Sequence, residues 1–107
     1  IAGDHVGMQT DFYKEFAGEN YQRTVYNVIL NSAKETNNSK NRLFTAFDFY
    51  PTTLTSLGVD VSGGKMGLGV DLFSDKKTLV EQYGLNYLES ELHKKSNFYY
   101  NSILIGK

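Results

Sequence analysis

The sequence predicts an α/β fold with a mainly parallel sheet and flanking helices, on three observations. Residues 24–30, TVYNVIL, are nearly all apolar or β-branched, a continuous run that suits a strand buried on both faces. Residues 42–47, RLFTAF, read as a second strand that feeds a helix over residues 48–57. The last third carries two helical segments, so strand, loop, strand and helix succeed one another in the α/β rhythm.

Each element follows from local chemistry. In the opening IAGDHVGM, Ile1-Ala2 read as the end of an apolar strand and Gly3 as the turn after it. The strand would begin upstream, so a piece of a larger enzyme is expected. Phe12, Tyr13 and Phe16 fall at helical spacing before Gly18, which predicts a short helix or loop laid over the core. Residues 31–41, NSAKETNNSKN, are a solvated loop, and the sequon Asn37-Asn38-Ser39 within it reads as chance.

In the helix over 48–57, Asp48 serves as the cap and Pro51 sits in the first turn, where no donor is needed. Leu54 and Leu57 repeat the apolar face of Phe47 and Tyr50, so both are expected to be buried, and Gly58 stops the helix. Residues 59–75 are glycine-rich and irregular. Ser74 or Asp75 is expected to cap a helix over 78–83 that stops at Gly84. A further helix over 85–94 should place Leu85, Leu88 and Leu92 on one face and pair Glu91 with Lys95. The apolar end of the tail reads as a small edge strand.

Composition sets the bounds. The 107 residues make one domain's worth of chain, 40% hydrophobic with eight Tyr and seven Phe, which indicates a globular chain rather than a disordered one. Eleven basic and twelve acidic residues leave a net charge of −1, which gives no electrostatic basis for nucleic-acid binding. No segment reaches the roughly 20 apolar residues of a membrane span. Without cysteine there is neither a disulfide nor a thiolate metal site. Residues 1–107 read as one unit, with a sheet-and-helix part over 1–74 and a helical tail over 75–107.

Asp4 and His5 are the candidate metal ligands. Open α/β sheets bind ligands beyond the carboxyl ends of their strands, where this pair would lie. A carboxylate with a neutral imidazole suits Zn²⁺ or Mn²⁺ better than Mg²⁺. Flanking Gly3 and Gly7 allow the backbone to turn so that both side chains reach one ion. The alternative is an Asx turn beside a surface histidine. The cluster GGKMGLG fits neither phosphate-binding fingerprint and reads as a loop with several positive-φ positions. His93 reads as a surface residue and Asp48 as a cap. No activated nucleophile is paired with a base.

Three ordered motifs carry a resemblance. Gly3-Asp4-His5 is followed by the TVYNVILNS segment, and then by the D-x-x-P-T-x-L-x-x-x-G pattern of Asp48, Pro51, Thr52, Leu54 and Gly58. Together they resemble the C-terminal part of the sulfatase-like branch of the alkaline phosphatase superfamily. KMGLGVDLFSDKKTLVEQYG and ELHKKSNFYYN are similar to the tail of its phosphoglycerol transferase and lipoteichoic acid synthase group. Val6 stands where sulfatases often have Gly directly after the histidine.

The resemblance implies the C-terminal portion of an alkaline-phosphatase-like α/β/α sandwich. Asp4 and His5 would bind a divalent metal, Mn²⁺ first, with Zn²⁺ or Mg²⁺ as alternatives. The nucleophile and remaining ligands would lie upstream, so no catalytic residue is assigned in this chain and the piece alone is expected to be inactive. The parent would be membrane-anchored and extracytoplasmic. It would move glycerol phosphate from a phospholipid headgroup donor, phosphatidylglycerol, to a cell-envelope glycan or polymer acceptor. Its partners would include the rest of the catalytic domain and no nucleic acid. A sulfatase or phosphoethanolamine transferase of the same superfamily is the second reading. A non-catalytic binding or scaffold domain is the third.

Overall fold

The structure, a computed structural model, describes residues 1–3, 5–21, 24–38 and 40–106. A helix α1 (Thr10–Ala17) comes first, then a long irregular stretch, then a 3₁₀ turn over Ala46–Asp48 running straight into α2 (Phe49–Ser56). A 3₁₀ turn at Ser62–Gly64 leads into a hairpin of β1 (Lys65–Met66) and β2 (Gly69–Val70), paired antiparallel with Lys65 opposite Val70. Three helices follow: α3 (Leu79–Tyr83), α4 (Leu85–Leu92) and α5 (Asn97–Tyr99), the last widening into a π turn over Tyr100–Leu104.

Among the described residues this hairpin is the one sheet, and the expected neighbouring strands over 25–30 and 43–47 are not formed. Residues 25–30 touch another segment through a single antiparallel bridge, Ala2 to Asn27. A parallel strand needs partners supplied by long crossovers, and an apolar run without such partners builds no ladder. The run stays half-buried or exposed, with Tyr26 and Leu30 each 71% exposed.

The helix over 48–57 is present, but its buried face is polar. Asp48, Thr52 and Thr55, spaced four and three apart, line one side with Pro51, and all four are buried. Thr52 Oγ1 donates to Asp48 O at 2.6 Å and accepts from Leu72 N at 3.0 Å. Thr55 Oγ1 donates to Asp71 Oδ2 at 2.9 Å. The hairpin and the turn behind it thus dock on threonine hydroxyls rather than on leucines. Leu54 is half-buried, and Leu57, at the C-cap, is 72% exposed, contrary to expectation.

Two glycines allow this docking. Gly67, at φ 59°, takes the first central position of the two-residue hairpin turn, where a positive φ is needed. At Gly69 an added Cβ would overlap the carbonyl oxygen of Phe47, so only glycine lets β2 approach the start of α2.

The cap of α3 is Thr78 rather than Ser74 or Asp75. Its hydroxyl accepts from Glu81 N at 3.2 Å, while the Glu81 carboxylate accepts from Thr78 N at 2.9 Å, a closed capping box. Gly84, at φ 81°, separates α3 from α4 as expected. Leu88 is buried, but Leu92 is 51% exposed, contrary to expectation. Glu91 pairs with Lys94, while Lys95 lies over the Tyr100 ring, 3.2 Å from its centroid. The tail is helical rather than a strand, capped where Ser96 Oγ accepts from Tyr99 N at 3.1 Å. The helix at Thr10–Ala17 forms where aromatic spacing predicts it, yet it buries none of its residues.

A single arginine gathers the central segments. Arg42 Nε and Nη2 donate to both carboxylate oxygens of Glu81 at 2.9 and 2.8 Å. Nη1 reaches Ser74 O at 3.0 Å and Leu72 O at 3.4 Å, and Nη2 reaches Lys76 O at 2.6 Å. All five guanidinium donors are used. The pair is largely shielded, with side-chain exposures of 9% for Arg42 and 19% for Glu81. The hydrogen bonds from Arg42 hold the Glu81 carboxyl at about 2, well below its ordinary 4.5.

Two expectations follow. Arg42→Ala should cost about 2–4 kcal/mol by stranding Glu81 and three carbonyls, whereas Leu57→Ala should stay within about 0.5 kcal/mol. Both are read from urea midpoints. Because the folded pKa of Glu81 is depressed, its contribution is complete above pH 4.5 and is lost as pH falls toward 2. After screening this amounts to about 1–2 kcal/mol. The pH dependence of the urea midpoint in that window should flatten in Glu81→Gln; an unchanged slope would place the acid sensitivity elsewhere.

Candidate functional site

The opening segment is tied to residues 26–28 by backbone. Ile1 N donates to Val28 O and Val28 N to Ile1 O, both at 2.9 Å. Gly3 N donates to Tyr26 O at 2.9 Å and lies 3.2 Å from Asn27 Oδ1. A Cβ at Gly3 would stand 3.0 Å from Val25 Cβ, so glycine lets the two segments close at this point. Residues 1–3 are therefore paired antiparallel with residues 26–28.

Asp4 lies outside the described residues. His5 is exposed, and its Nδ1 lies 2.9 Å from Val6 O. A carbonyl oxygen only accepts, so Nδ1 carries the hydrogen in this contact. The neutral ring then has its lone pair on Nε2, the tautomer in which metal-bound imidazoles are often fixed by a backbone carbonyl. To that extent the donor chemistry of His5 fits a borderline divalent ion. Among the described residues no group of three or more His, Asp or Glu side chains could hold a metal.

The other candidates take structural roles. Asp48 is 1% exposed. Its Oδ2 accepts from Thr45 N at 2.8 Å and Thr45 Oγ1 at 3.3 Å, and its Oδ1 accepts from Val70 N at 2.7 Å. It caps the 3₁₀ turn that leads into α2 and at the same time anchors β2, so both oxygens are committed. His93 is exposed at the end of α4, with Nδ1 donating to Glu89 O at 2.8 Å. In the glycine cluster Gly63, Gly64 and Gly67 have φ of 67°, 62° and 59°, a loop as expected. Gly64 N is bonded to Val61 O, and Gly64 O accepts from Asp71 N, so that part of the loop is occupied by its own backbone.

Sequence reasoning singles out none of three residues that hold this region together: Arg42, Asp71 and Thr78. Thr78 was legible from Thr78-x-x-Glu81, the spacing of a capping box. Asp71 bonds Phe73 N at 3.0 Å through Oδ1 and receives Ser74 Oγ at its carbonyl at 2.6 Å, an Asx-type turn that the DLFS stretch could have suggested. For Arg42 no local signal exists, because its partners lie 30 to 39 residues away.

No family model matches the chain, and no curated protein or solved structure matches it.

Since the buried Asp48 carboxylate accepts the amides of Thr45 and Val70, Asp48→Ala should destabilise by roughly 2–4 kcal/mol. Asp48→Asn should recover only part of this, because one of its two positions presents N–H to a donor. Chemical denaturation of the two variants checks the order, and a neutral Asp48→Ala would contradict the buried role.

Proposed function

We propose that the chain is a C-terminal segment of the catalytic domain of a metal-dependent phosphoglycerol transferase, of the sulfatase-like branch that its motifs resemble. The observation that carries this reading is that the residues of the two downstream motifs interlock as one unit. Asp48 and Thr52 of the helix signature bond the amides of Val70 and Leu72 in the second motif. Gly69 of that motif seats against Phe47 O.

A second observation supports a larger domain. The accessible surface is 8679 Å², against about 6,000 Å² for a compact monomer of this mass. The radius of gyration is 17.2 Å, against about 13 Å for a compact chain of this length. Among the described residues the buried apolar side chains are Val61, Val70, Val80, Leu88 and Pro51. The mainly parallel sheet of an α/β/α sandwich belongs to this proposal, with its other strands supplied by the rest of the catalytic domain.

In this reading Asp4 and His5 hold one side of a divalent ion, Mn²⁺ before Zn²⁺ or Mg²⁺. The contact from His5 Nδ1 to Val6 O sets the tautomer, and Gly3 and Gly7 permit the turn. The ion would lower the pKa of an upstream Thr or Ser and offset charge on the phosphoryl group. In the transfer, the phosphorus bond to the diacylglycerol oxygen breaks as the bond to that hydroxyl oxygen forms. The diacylglycerol would leave with a proton on its oxygen, and an acceptor hydroxyl would then lose its proton and bond to phosphorus as the phosphorus–oxygen bond to the Thr or Ser breaks and that oxygen regains a proton. The chain would work on the outer face of the cytoplasmic membrane.

The test uses the complete protein and this chain side by side. With a phosphatidylglycerol analogue, Asp4→Ala and His5→Ala in the complete protein should abolish turnover without changing its thermal midpoint. The 107-residue chain should bind Mn²⁺ only weakly and should turn nothing over. A Cys/Ser-x-Pro-x-Arg motif upstream would shift the assignment to a sulfatase. Full activity in both variants would leave a scaffold domain as the reading.

A further inference from the structure

The segment over 24–30 has one edge taken and one edge open. Residues 1–3 pair with it through Tyr26 and Val28: Gly3 N donates to Tyr26 O, and Ile1 and Val28 exchange both bonds, each at 2.9 Å. In an antiparallel pair, successive residues turn their backbone groups to opposite sides. The amide and carbonyl of Asn27, between the two bonded residues, therefore face away from residues 1–3. Among the described residues neither group has a hydrogen-bond partner, and the same holds for the backbone of Val25 and Ile29. Three alternate residues thus present unpaired donors and acceptors along one edge.

Nothing in the side chains guards that edge. From Thr24 to Leu30 there is no charge, no proline and no glycine, whereas open edges are commonly blunted by lysine, proline or a bulge. An uncharged run of β-branched and aromatic residues is a strand-pairing sequence. Ile29 is 47% exposed, and Tyr26 and Leu30 71% each, so the side chains that would flank a partner strand stand in solvent. A second copy of the segment supplies the strand that this edge requires. Set antiparallel about a two-fold axis at Asn27, Val25 of one copy lies opposite Ile29 of the other, and Asn27 lies opposite itself. Each opposed pair then exchanges both backbone bonds, and the same patch is used on both chains. A strand of this length spans about 20 Å. The contact is therefore smaller than the roughly 1,200 Å² at which standard interfaces begin, which makes the dimer weak.

We propose that the open edge of Val25, Asn27 and Ile29 is a self-association surface, on which two copies of this chain pair antiparallel through residues 25–29. The proposal does not rest on the transferase reading and concerns the chain by itself. Turnover tests one and association the other, so either can fail alone.

Sedimentation velocity on the 107-residue chain should show a monomer–dimer equilibrium with a Kd on the order of 100 μM. In amide hydrogen exchange, Val25, Asn27 and Ile29 should gain protection as the chain is concentrated, more than any other residues. Ile29→Pro removes one amide from the open edge and leaves the bonds of Tyr26 and Val28 to residues 1–3 in place. It should weaken association at least about tenfold with its circular dichroism unchanged. A chain that stays monomeric up to about 1 mM would overturn the proposal. So would a dimer whose new protection falls on α1 or on the tail, or undiminished association of Ile29→Pro. If that variant does not fold, the exchange pattern of the unaltered chain decides alone.

Discussion

A buried carboxylate is the constraint on which the ordered part of this molecule depends. Asp48 gathers the amide of Thr45, its hydroxyl and the amide of Val70 onto two oxygens. The start of α2 and the second hairpin strand therefore share one anchor. With so few apolar side chains buried, dispersion and the hydrophobic effect do little to fix their relative placement, and directional bonds must do it. An apolar residue of the same size could fill the space but would leave two buried amides without acceptors. A buried polar group of this kind specifies one arrangement, because any slip of the hairpin breaks its bonds.

The second anchor shows why an arginine is required. Arg42 binds a carboxylate with two donors and three carbonyls with the others, a pattern that suits a planar fork with five N–H groups. A lysine has three donors and no such geometry. The guanidinium also lies in the field of Asp48, and its own proton is held more tightly through Glu81 first and Asp48 among the lesser charges. The two anchors are thus coupled electrostatically as well as through the chain that joins residues 42 and 48. Thr52 and Thr55 extend the arrangement. Threonine is a middling helix former, but here each hydroxyl serves a buried partner that leucine could not.

This polarity explains what could be read from the sequence and what could not. The helices at 10–17, 49–56, 79–83 and 85–92 were legible because aromatic or leucine spacing, Pro51 and the stops at Gly18 and Gly84 are local signals. The inward face of α2 was not, since periodicity analysis looks for apolar residues and Leu54 and Leu57 drew attention away from Thr52 and Thr55. The run at 24–30 has strand composition, but a strand is a relation between segments, and composition does not supply the partner. At the candidate site, Gly3 reads as a turn in the sequence, whereas the structure pairs it with the neighbouring segment through Tyr26 O and Asn27 Oδ1. The open edge of Val25, Asn27 and Ile29 was not legible, since it is defined by which backbone groups residues 1–3 take.

The two parts of the molecule are held together by different means, and this bears on function. The unit around α2, the hairpin and α3 is closed by buried bonds. The opening segment is tied to residues 26–28 by backbone bonds and by the Asn27 side chain. The loop between them is tied to the end of α2 by Ala33 N on Ser56 O at 2.8 Å and by the long, exposed contact between Lys34 and Asp60. Segments held by a few exposed bonds open at low free-energy cost, whereas the Asp48 and Arg42 anchors open only with the whole unit. The unit held by Asp48 and Arg42 is therefore expected to stay closed when the loop around Ala33 opens. Binding chemistry placed on loops over a scaffold that does not itself react is a common division of labour. Here it follows from where the buried hydrogen bonds are.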